Sequence, residues 1–287
     1  MSINAPKGKG WFPGHMAKAK SALPSWIKNS NMIIEVRDAR APLVSGLLNL
    51  AQYQKKSLLV YNKRQLANPI INQKWQTHFE NQFVDSMFCN FFVPQDIQKI
   101  LRHLKKCASD QQLKKIRDDK LPWRVIVLGA PNTGKSTLIN RLLARKRVQT
   151  GSLPGVTKRP EWVRINHRLE LLDSPGIVSY DDTSEETRLI LRLIYAFKED
   201  LTETSESVEF LLQKLIDQPT KEFLNRYQLT NQLPEKPAEL LQTILKQVNI
   251  RDKNPDNATI RATQKIVADF RAAKLGPISL ESPPELI

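Results

Sequence analysis

The sequence has few cysteines and no long apolar run, and each of these absences excludes a class of protein. The two cysteines, Cys89 and Cys107, have no metal-ligand spacing and indicate reduced thiols in a cytosol-like compartment. No stretch approaches the ~18 apolar residues of a membrane helix, so no membrane span is expected. Residues 1–10 lack the apolar segment of a secretory signal, and there is no long Arg/Ser-rich presequence. These absences favour a cytoplasmic location, with the mitochondrial matrix as the alternative.

Acidic residues are scarce relative to basic ones. The 287 residues include 44 lysines and arginines but only 29 aspartates and glutamates, which gives a formal net charge of +15. An excess on this scale indicates an acidic partner, most often nucleic acid, and a solubilising surface is the plainer alternative. The hydrophobic share of 40% is enough for a core, so the chain is expected to fold.

Short apolar strands alternate with helical segments in the first 181 residues. Strands are predicted at residues 32–36, 58–61, 86–93, 124–128, 162–165 and 169–172, and helical spacing at residues 96–117 and 135–144. Such alternation predicts an α/β domain with a parallel sheet. After about residue 181 the apolar periodicity is helical and no convincing strand is found. We therefore predict an α/β unit over residues 1–181 and a helical unit over residues 182–287, which ends in a loose tail at residues 279–287.

A phosphate-binding motif follows the strand at residues 124–128. The pattern G-x-x-x-x-G-K-S/T is met by Gly129, Gly134, Lys135 and Ser136. The backbone N–H groups of such a loop wrap phosphates, the lysine neutralises their oxygens, and the serine hydroxyl ligates Mg²⁺. The N-terminus of the following helix adds partial positive charge. The predicted phosphate site comprises Gly129, Ala130, Pro131, Asn132, Thr133, Gly134, Lys135, Ser136 and Thr137.

Two downstream motifs complete a nucleotide switch. Thr157 ends a Pro-Gly-Val-Thr sequence and suits Mg²⁺ and a γ-phosphate, and Asp173 starts an Asp-Ser-Pro-Gly sequence and suits Mg²⁺ through water. The Gly176 N–H can sense the γ-phosphate. Each motif is also ordinary turn chemistry, but their order after a phosphate loop indicates a switch. Ile177 stands where many GTPases have a water-orienting glutamine, so the catalytic group has to come from elsewhere.

The guanine-reading motif N-K-x-D does not follow the switch motifs. The candidate lies upstream, where Asn62 and Lys63 follow the strand at residues 58–61. This order predicts a circularly permuted sheet, with an ordinary Asn-Lys loop as the alternative. The fourth position is Gln65 instead of aspartate. Losing a charge-assisted hydrogen bond costs roughly 1.5–3 kcal/mol, so guanine preference is expected to fall by ~10–100-fold.

The sequence WFPGHMAKA at residues 11–19 resembles the N-terminal signature of the RbgA/YlqF family. These proteins are circularly permuted GTPases of large-ribosomal-subunit assembly, with mitochondrial relatives. The likeness continues at residues 35–42, through the phosphate loop and switch motifs, and at residues 269–271 and 274–281. It implies a permuted P-loop GTPase fold, with a C-terminal all-helical domain over residues 182–287 that binds RNA or the ribosome. It also implies GTP and GDP as ligands, and the large subunit and its rRNA as partners. A monomer is expected.

The resemblance also implies roles for three residues. His15 would hydrolyse GTP in place of the missing glutamine, from a mobile loop, with a surface or capping histidine as the alternative. Asn132 would hold K⁺ beside the phosphates, where added positive charge stabilises the transition state. Asn90 would belong to the second base-binding loop, at residues 89–92, in which the bulk of Phe91 is unexpected.

Three groups of cations are candidates for RNA contact, mainly with phosphates and RNA shape. They are Lys18, Lys20, Lys28, Arg37 and Arg40 near the N-terminus, the basic segment 99–117, and Arg261, Lys265, Arg271 and Lys274 in the last predicted helix. A solvated helix face is the alternative for each.

Two functions remain open from the sequence. The first is a ribosome-activated GTP-hydrolysing switch that times release from the maturing large subunit. The second is a degenerate nucleotide-binding docking module with little hydrolysis or relaxed base specificity, which Gln65 and Phe91 favour slightly. A P-loop kinase or ATPase would leave the sequence WFPGHM and the switch motifs unexplained.

Overall fold

A computed structural model describes residues 14–47, 50–82, 84–113, 122–143, 160–177, 184–196, 204–248 and 255–284. Its sheet has six strands, in the spatial order β3-β2-β1-β4-β6-β5. Five of them are parallel, and β5 pairs antiparallel with β6. The bounds are β1 Met32–Asp38, β2 Lys56–Asn62, β3 Ser86–Phe88, β4 Trp123–Leu128, β5 Glu161–Asn166 and β6 Leu169–Asp173.

Helices cover both faces of the sheet, and in the described residues after β6 they are the regular elements present. Their bounds are α1 Gly14–Lys28, α2 Pro69–Asn81, α3 Pro94–Leu113, α4 Lys135–Leu142, α5 Glu185–Leu193, α6 Thr204–Asp217, α7 Lys221–Arg226, α8 Pro237–Val248 and α9 Pro255–Arg271. No helix in the described ranges combines the length and apolar character that crossing a membrane requires.

The side chains of β4 show how the layers are built. Val125 and Val127 face a core shared with α3 and α4, whereas Ile126 and Leu128 face a core shared with α1. This alternation follows from the two-residue period of a strand. Covered on both faces, β4 is a continuous apolar run from Val125 to Leu128, as expected for a central strand of a parallel sheet. The predicted α/β class is confirmed.

In the sheet, β1 lies between β2 and β4, so a strand from well before the phosphate motif pairs with the strand that leads into it. β1 pairs with β2 on one side and with β4 on the other. The carboxyl ends of these strands, at Asp38, Asn62 and Leu128, therefore lie at one edge of the sheet. Ligands of open α/β sheets bind beyond that edge, which is where the predicted phosphate and base motifs begin.

Several predicted elements differ from the structure. The segment expected to be a mobile loop around His15 is helical from Gly14 onward, because Ala19, Leu23 and Ile27 form an apolar stripe against the sheet. The third strand covers only Ser86–Phe88. The helix α2 was missed, although Asn68 caps it with its side chain and Pro69 occupies its first turn.

The prediction of a loose tail over residues 279–287 is wrong for its first part. Ser279 and Leu280 are buried, and Leu280 belongs to the core of the helical unit together with Ala41 and Ala130. The Leu280 N–H donates to Arg40 O at 2.8 Å, and the Ile278 N–H donates to Leu66 O at 2.9 Å. Ile278 and Leu280 thus bury their side chains in the core while their N–H groups donate to residues near the sheet. The tail therefore fastens the helical unit to the sheet unit.

Candidate functional site

The phosphate loop is held in a shape that its glycines permit. Gly129 has φ +142°, and a Cβ there would lie 2.1 Å from Val36 O. Gly134 has φ +107°, and its Cβ would lie 2.4 Å from Asn62 Nδ2. Both glycines are needed, because other residues are strained at such φ values and would also clash. Sheet and loop are thus packed without a gap.

Lys135 points into this loop. Its side chain is buried, and Nζ donates to Ala130 O at 2.8 Å. Burial lowers the pKa of Lys135 to about 8, and the nearby Asp173 carboxylate opposes that shift. A cation held at this depth is available to phosphate oxygens within the loop.

The two predicted Mg²⁺ ligands that the structure describes are brought together. Ser136 Oγ donates to Asp173 Oδ2 at 3.1 Å, although they are 37 residues apart. Asp173 is buried at the end of β6. A hydroxyl and a carboxylate are hard oxygen donors of the kind Mg²⁺ takes together with nucleotide phosphates, so these residues fit that ion. Thr157, the third predicted ligand, lies outside the described residues.

The switch residues after Asp173 pack directly on the phosphate loop. A Cβ at Gly176 would lie 2.7 Å from Pro131 Cγ, and the Ile177 N–H donates to Gly129 O at 3.1 Å. The Ile177 side chain is buried in the same core cluster as Ala19 of α1. The position is therefore apolar, and α1 lies near it. The side chain of His15, at the start of α1, lies outside the described residues.

Asn132 connects the phosphate loop to the helical unit. It adopts φ 61°, and its Nδ2 donates to Tyr195 O, just after α5. Arg271 of α9 lies over the Tyr195 ring at 4.4 Å and donates to Arg192 O at 2.7 Å. The sequence did not signal this connection, because Tyr195 has no motif around it.

Asn62 joins the predicted base motif to the phosphate loop. Its Nδ2 donates to Thr133 O at 2.8 Å, and its Oδ1 accepts from the Phe91 N–H at 3.3 Å. One buried side chain thus bridges the phosphate loop and the turn at residues 89–92. These contacts place the predicted base motif beside the phosphate loop.

A buried carboxylate, Asp38, lies beside the predicted base motif and was not predicted from the sequence as a site residue. Asp38, at the end of β1, accepts from Arg40 Nη2 at 2.9 Å and from Lys63 Nζ at 2.8 Å. Burial opposes ionisation, yet these two cations lower the pKa of Asp38 below its usual range. Burial lowers the pKa of Lys63, and Asp38 opposes this shift. Only the 35–42 likeness hinted at a role for Asp38.

The remaining base residues are less enclosed. Gln65 is exposed in the one-turn 3₁₀ helix Arg64–Leu66. The Asn90 side chain accepts from the Phe92 N–H at 3.0 Å. The backbone N–H of Asn90 donates to the Asp96 carboxylate at 2.8 Å. Phe91, whose bulk is unexpected in this turn, has its ring buried in the core beneath Gly134.

Comparisons with known proteins agree with this geometry. The family model for the 50S ribosome-binding GTPase matches residues 124–246. Ribosome biogenesis GTPase A of Bacillus pumilus is 31% identical over 277 residues, covering 95% of this chain and 98% of the relative. The chain belongs to the ribosome biogenesis GTPase A family. It is a GTPase, which confirms the predicted enzyme class and family. Mitochondrial ribosome-associated GTPase 1 of Bos taurus is 28% identical, covering 94% of this chain and 88% of that relative.

Solved structures show that this GTPase has the fold of its family. The GDP-bound structure of TM YlqF matches with a TM-score of 0.65 and 22% identity, covering 92% of this chain and 99% of that one. GNP-bound YlqF from T. maritima matches with a TM-score of 0.63 and 24% identity, covering 94% and 100%.

Proposed function

We propose that this GTPase promotes late assembly of the large ribosomal subunit through contact with its rRNA. GTP hydrolysis to GDP and phosphate would time release. The observation that carries the nucleotide chemistry is the Ser136–Asp173 pair beside the buried Lys135. The assembly role is supported by the relatives' names, which come from bacteria and from mitochondria. The bacterial relatives support a cytoplasmic location, and the mitochondrial ones support the matrix alternative.

The phosphate loop would bind and orient the triphosphate. Its backbone N–H groups and those at the start of α4, including Thr137, face the phosphates, while Lys135 neutralises their oxygens. Ser136, Thr157 and Asp173 would hold Mg²⁺, which when bound neutralises charge between the β- and γ-phosphates. Gly176, packed on Pro131, would donate its N–H to the γ-phosphate and so distinguish GTP from GDP.

His15 is proposed as the catalytic residue. Ile177 is buried and apolar, so it cannot orient water. Ala19, one turn beyond His15 on α1, packs in the same cluster as Ile177. This packing supports a position for the start of α1 beside the switch, within reach of the γ-phosphate.

Asn132 is proposed to hold K⁺. Its Nδ2 donates to Tyr195 O, which leaves Oδ1 to face elsewhere as a cation ligand. A neutral amide oxygen fits a monovalent cation, and the added charge would stabilise the transition state.

The base would be read by Asn62, Lys63, Gln65 and Asn90. The second candidate function, a docking module with relaxed base specificity or little hydrolysis, is favoured by one observation: Gln65 is exposed where a carboxylate would normally read guanine. We further propose that the GTPase unit spans residues 1–181 and the helical unit residues 182–287, and that the protein is a monomer.

GTP turnover with and without purified large subunits, in K⁺ and in Na⁺, tests the proposal. We expect stimulation by subunits, more in K⁺ than in Na⁺. His15→Ala is expected to reduce stimulated turnover by roughly 100-fold or more, while GDP affinity stays unchanged. Unaltered stimulated turnover in His15→Ala would remove the catalytic assignment. A lack of stimulation in the unmodified protein would favour the docking module.

A further inference from the structure

The cations of α9 and of the turn that follows it are largely engaged within the fold. Lys265 and Lys274 lie 3.5 Å from the carboxylate of Asp269, and Arg226 of α7 binds the same group at 2.9 Å. Arg271 is directed at the carbonyl oxygens that end α5. Near the N-terminus, Arg37 and Arg40 pair with Glu35 and Asp38 in the same way. Much of this positive charge therefore stabilises the fold instead of facing solvent.

The cations of α3 are arranged differently. Ile100, Leu104 and Cys107 are buried against the sheet. The opposite face is exposed and carries four cations: Lys99, Arg102, Lys105 and Lys106. Within the described part of the chain, none of the four forms an ion pair with an acidic side chain. They span about 10 Å at 1.5 Å per residue.

Such a face is unfavourable for the isolated helix. Arg102 has Lys99 and Lys105 three residues away and Lys106 four residues away, and like charges at these spacings repel. An anionic partner running along the helix would turn this repulsion into attraction. Phosphates repeated along a nucleic-acid backbone match an extended row of cations.

An exposed aromatic side chain lies next to the start of α3. Phe92 is 69% exposed, and the guanidinium carbon of Arg141 at the end of α4 lies 5.1 Å from its ring centroid. A solvent-facing ring with an arginine on it is a platform on which an unpaired base stacks. The combination of stacking platform and cationic row favours RNA over a lipid surface or an acidic protein.

We propose that the outer face of α3, with Phe92 and Arg141, is the surface through which the GTPase unit contacts rRNA. This inference rests on the proposed function and specifies which surface performs it. The surface also adjoins the nucleotide site. Asp96, in the first turn of α3, accepts from the Asn90 N–H and pairs with Arg64 at 3.2 Å.

The test compares two variants with the same change in net charge. The α3 variant carries Lys99→Gln, Arg102→Gln, Lys105→Gln and Lys106→Gln. The control variant carries Arg188→Gln, Lys221→Gln, Lys236→Gln and Lys246→Gln, which are exposed positions outside the three groups of cations that are candidates for RNA contact. Glutamine keeps helix propensity close to that of lysine and arginine. Thermal unfolding checks that both variants fold.

Affinity for large-subunit rRNA and for purified large subunits is measured over a series of salt concentrations. We expect the α3 variant to bind roughly 10–100-fold more weakly at moderate salt, with the slope of log affinity against log salt reduced by about 3–4. The control variant is expected to change little. Phe92→Ala is expected to weaken binding to rRNA containing unpaired bases by about 1–3 kcal/mol, roughly 5–150-fold, without changing the salt slope.

Equal affinity of the α3 variant and the unmodified protein would overturn the inference, as would equal losses in the α3 and control variants. Those outcomes leave the proposed function standing, because the unmodified protein still binds. A failure of the unmodified protein to bind large subunits or their rRNA would instead overturn the proposed function itself.

Discussion

The predicted phosphate half and the predicted base half of the nucleotide site are built in different ways. The phosphate half comes from two short motifs, and its parts meet directly: Ser136 contacts Asp173, and Gly176 packs on Pro131. The base half leaves Gln65 exposed. The turn that contains Gln65 is held at Leu66, whose carbonyl oxygen accepts from the N–H of the distant Ile278. The predicted phosphate half is therefore recognisable from short motifs, whereas the turn that carries Gln65 is held by a residue from the far end of the chain.

The largest expected effect is in the phosphate half. Lys135→Ala removes the buried cation that faces the phosphates, so we expect nucleotide affinity to fall by roughly 100-fold, about 3 kcal/mol. Titration with fluorescent GDP measures it. Lys55→Ala is the matched control, because Lys55 is bound to Ser30 O on the opposite side of the sheet unit. A loss below threefold for Lys135→Ala would show that the loop binds phosphate without its lysine.

The next effect is in the base half. Gln65→Asp restores the carboxylate that accepts two N–H groups from guanine, so preference for GTP over ATP is expected to rise by ~10–100-fold. Gln65→Asn is the control, since asparagine has the shape of aspartate without its charge. Competition against fluorescent GDP gives both values. If both variants shift the preference equally, side-chain length and not charge limits base reading.

The smallest effect concerns the tail that supports the base half. The Glu281 carboxylate accepts from the Leu43 and Val44 N–H groups at 2.9 and 3.1 Å. Burial nevertheless raises its pKa to about 7. A raised pKa means that the folded state holds this proton more tightly than the unfolded state. The stability it contributes is therefore complete below about pH 4.5 and declines as pH rises to about 7.

Glu281→Gln is expected to remove this pH dependence. The difference in unfolding free energy between the unmodified protein and the variant should change by about 1 kcal/mol between pH 5 and 7, after allowance for solvent screening. Urea unfolding at several pH values measures it, with the exposed Glu235→Gln as control. A difference that does not vary with pH would mean that Glu281 stays ionised in the folded protein.

The parts of the site that were predicted from the sequence are those whose residues lie close together in the chain. The phosphate loop, its flanking strand and helix, and the strand pair β5–β6 were all predicted, because apolar period and motif spacing are local. The permuted order followed from Asn62 preceding the phosphate loop. The structure places Asn62 against Thr133, as that order requires.

The rest depends on contacts between distant segments. Asp38 and Asp96 are ordinary loop-edge carboxylates in the sequence, and only folding surrounds them with cations and N–H groups. The helix α2 has a narrow apolar stripe, with Trp75 and Phe79 as its buried residues, so its periodicity was weak. The tail has too few residues for periodicity to show that Leu280 is buried.

Competition of GTP and ATP for the unmodified protein, against fluorescent GDP in Mg²⁺, tests the central claim most directly. We expect both triphosphates to bind through the phosphate half. We also expect the protein to prefer GTP over ATP, and Gln65→Asp to increase that preference. Equal affinity for ATP and GTP would contradict the assignment of Asn62, Lys63, Gln65 and Asn90 to guanine reading. If neither triphosphate binds, the assignment of residues 129–137 as a phosphate-binding loop is wrong.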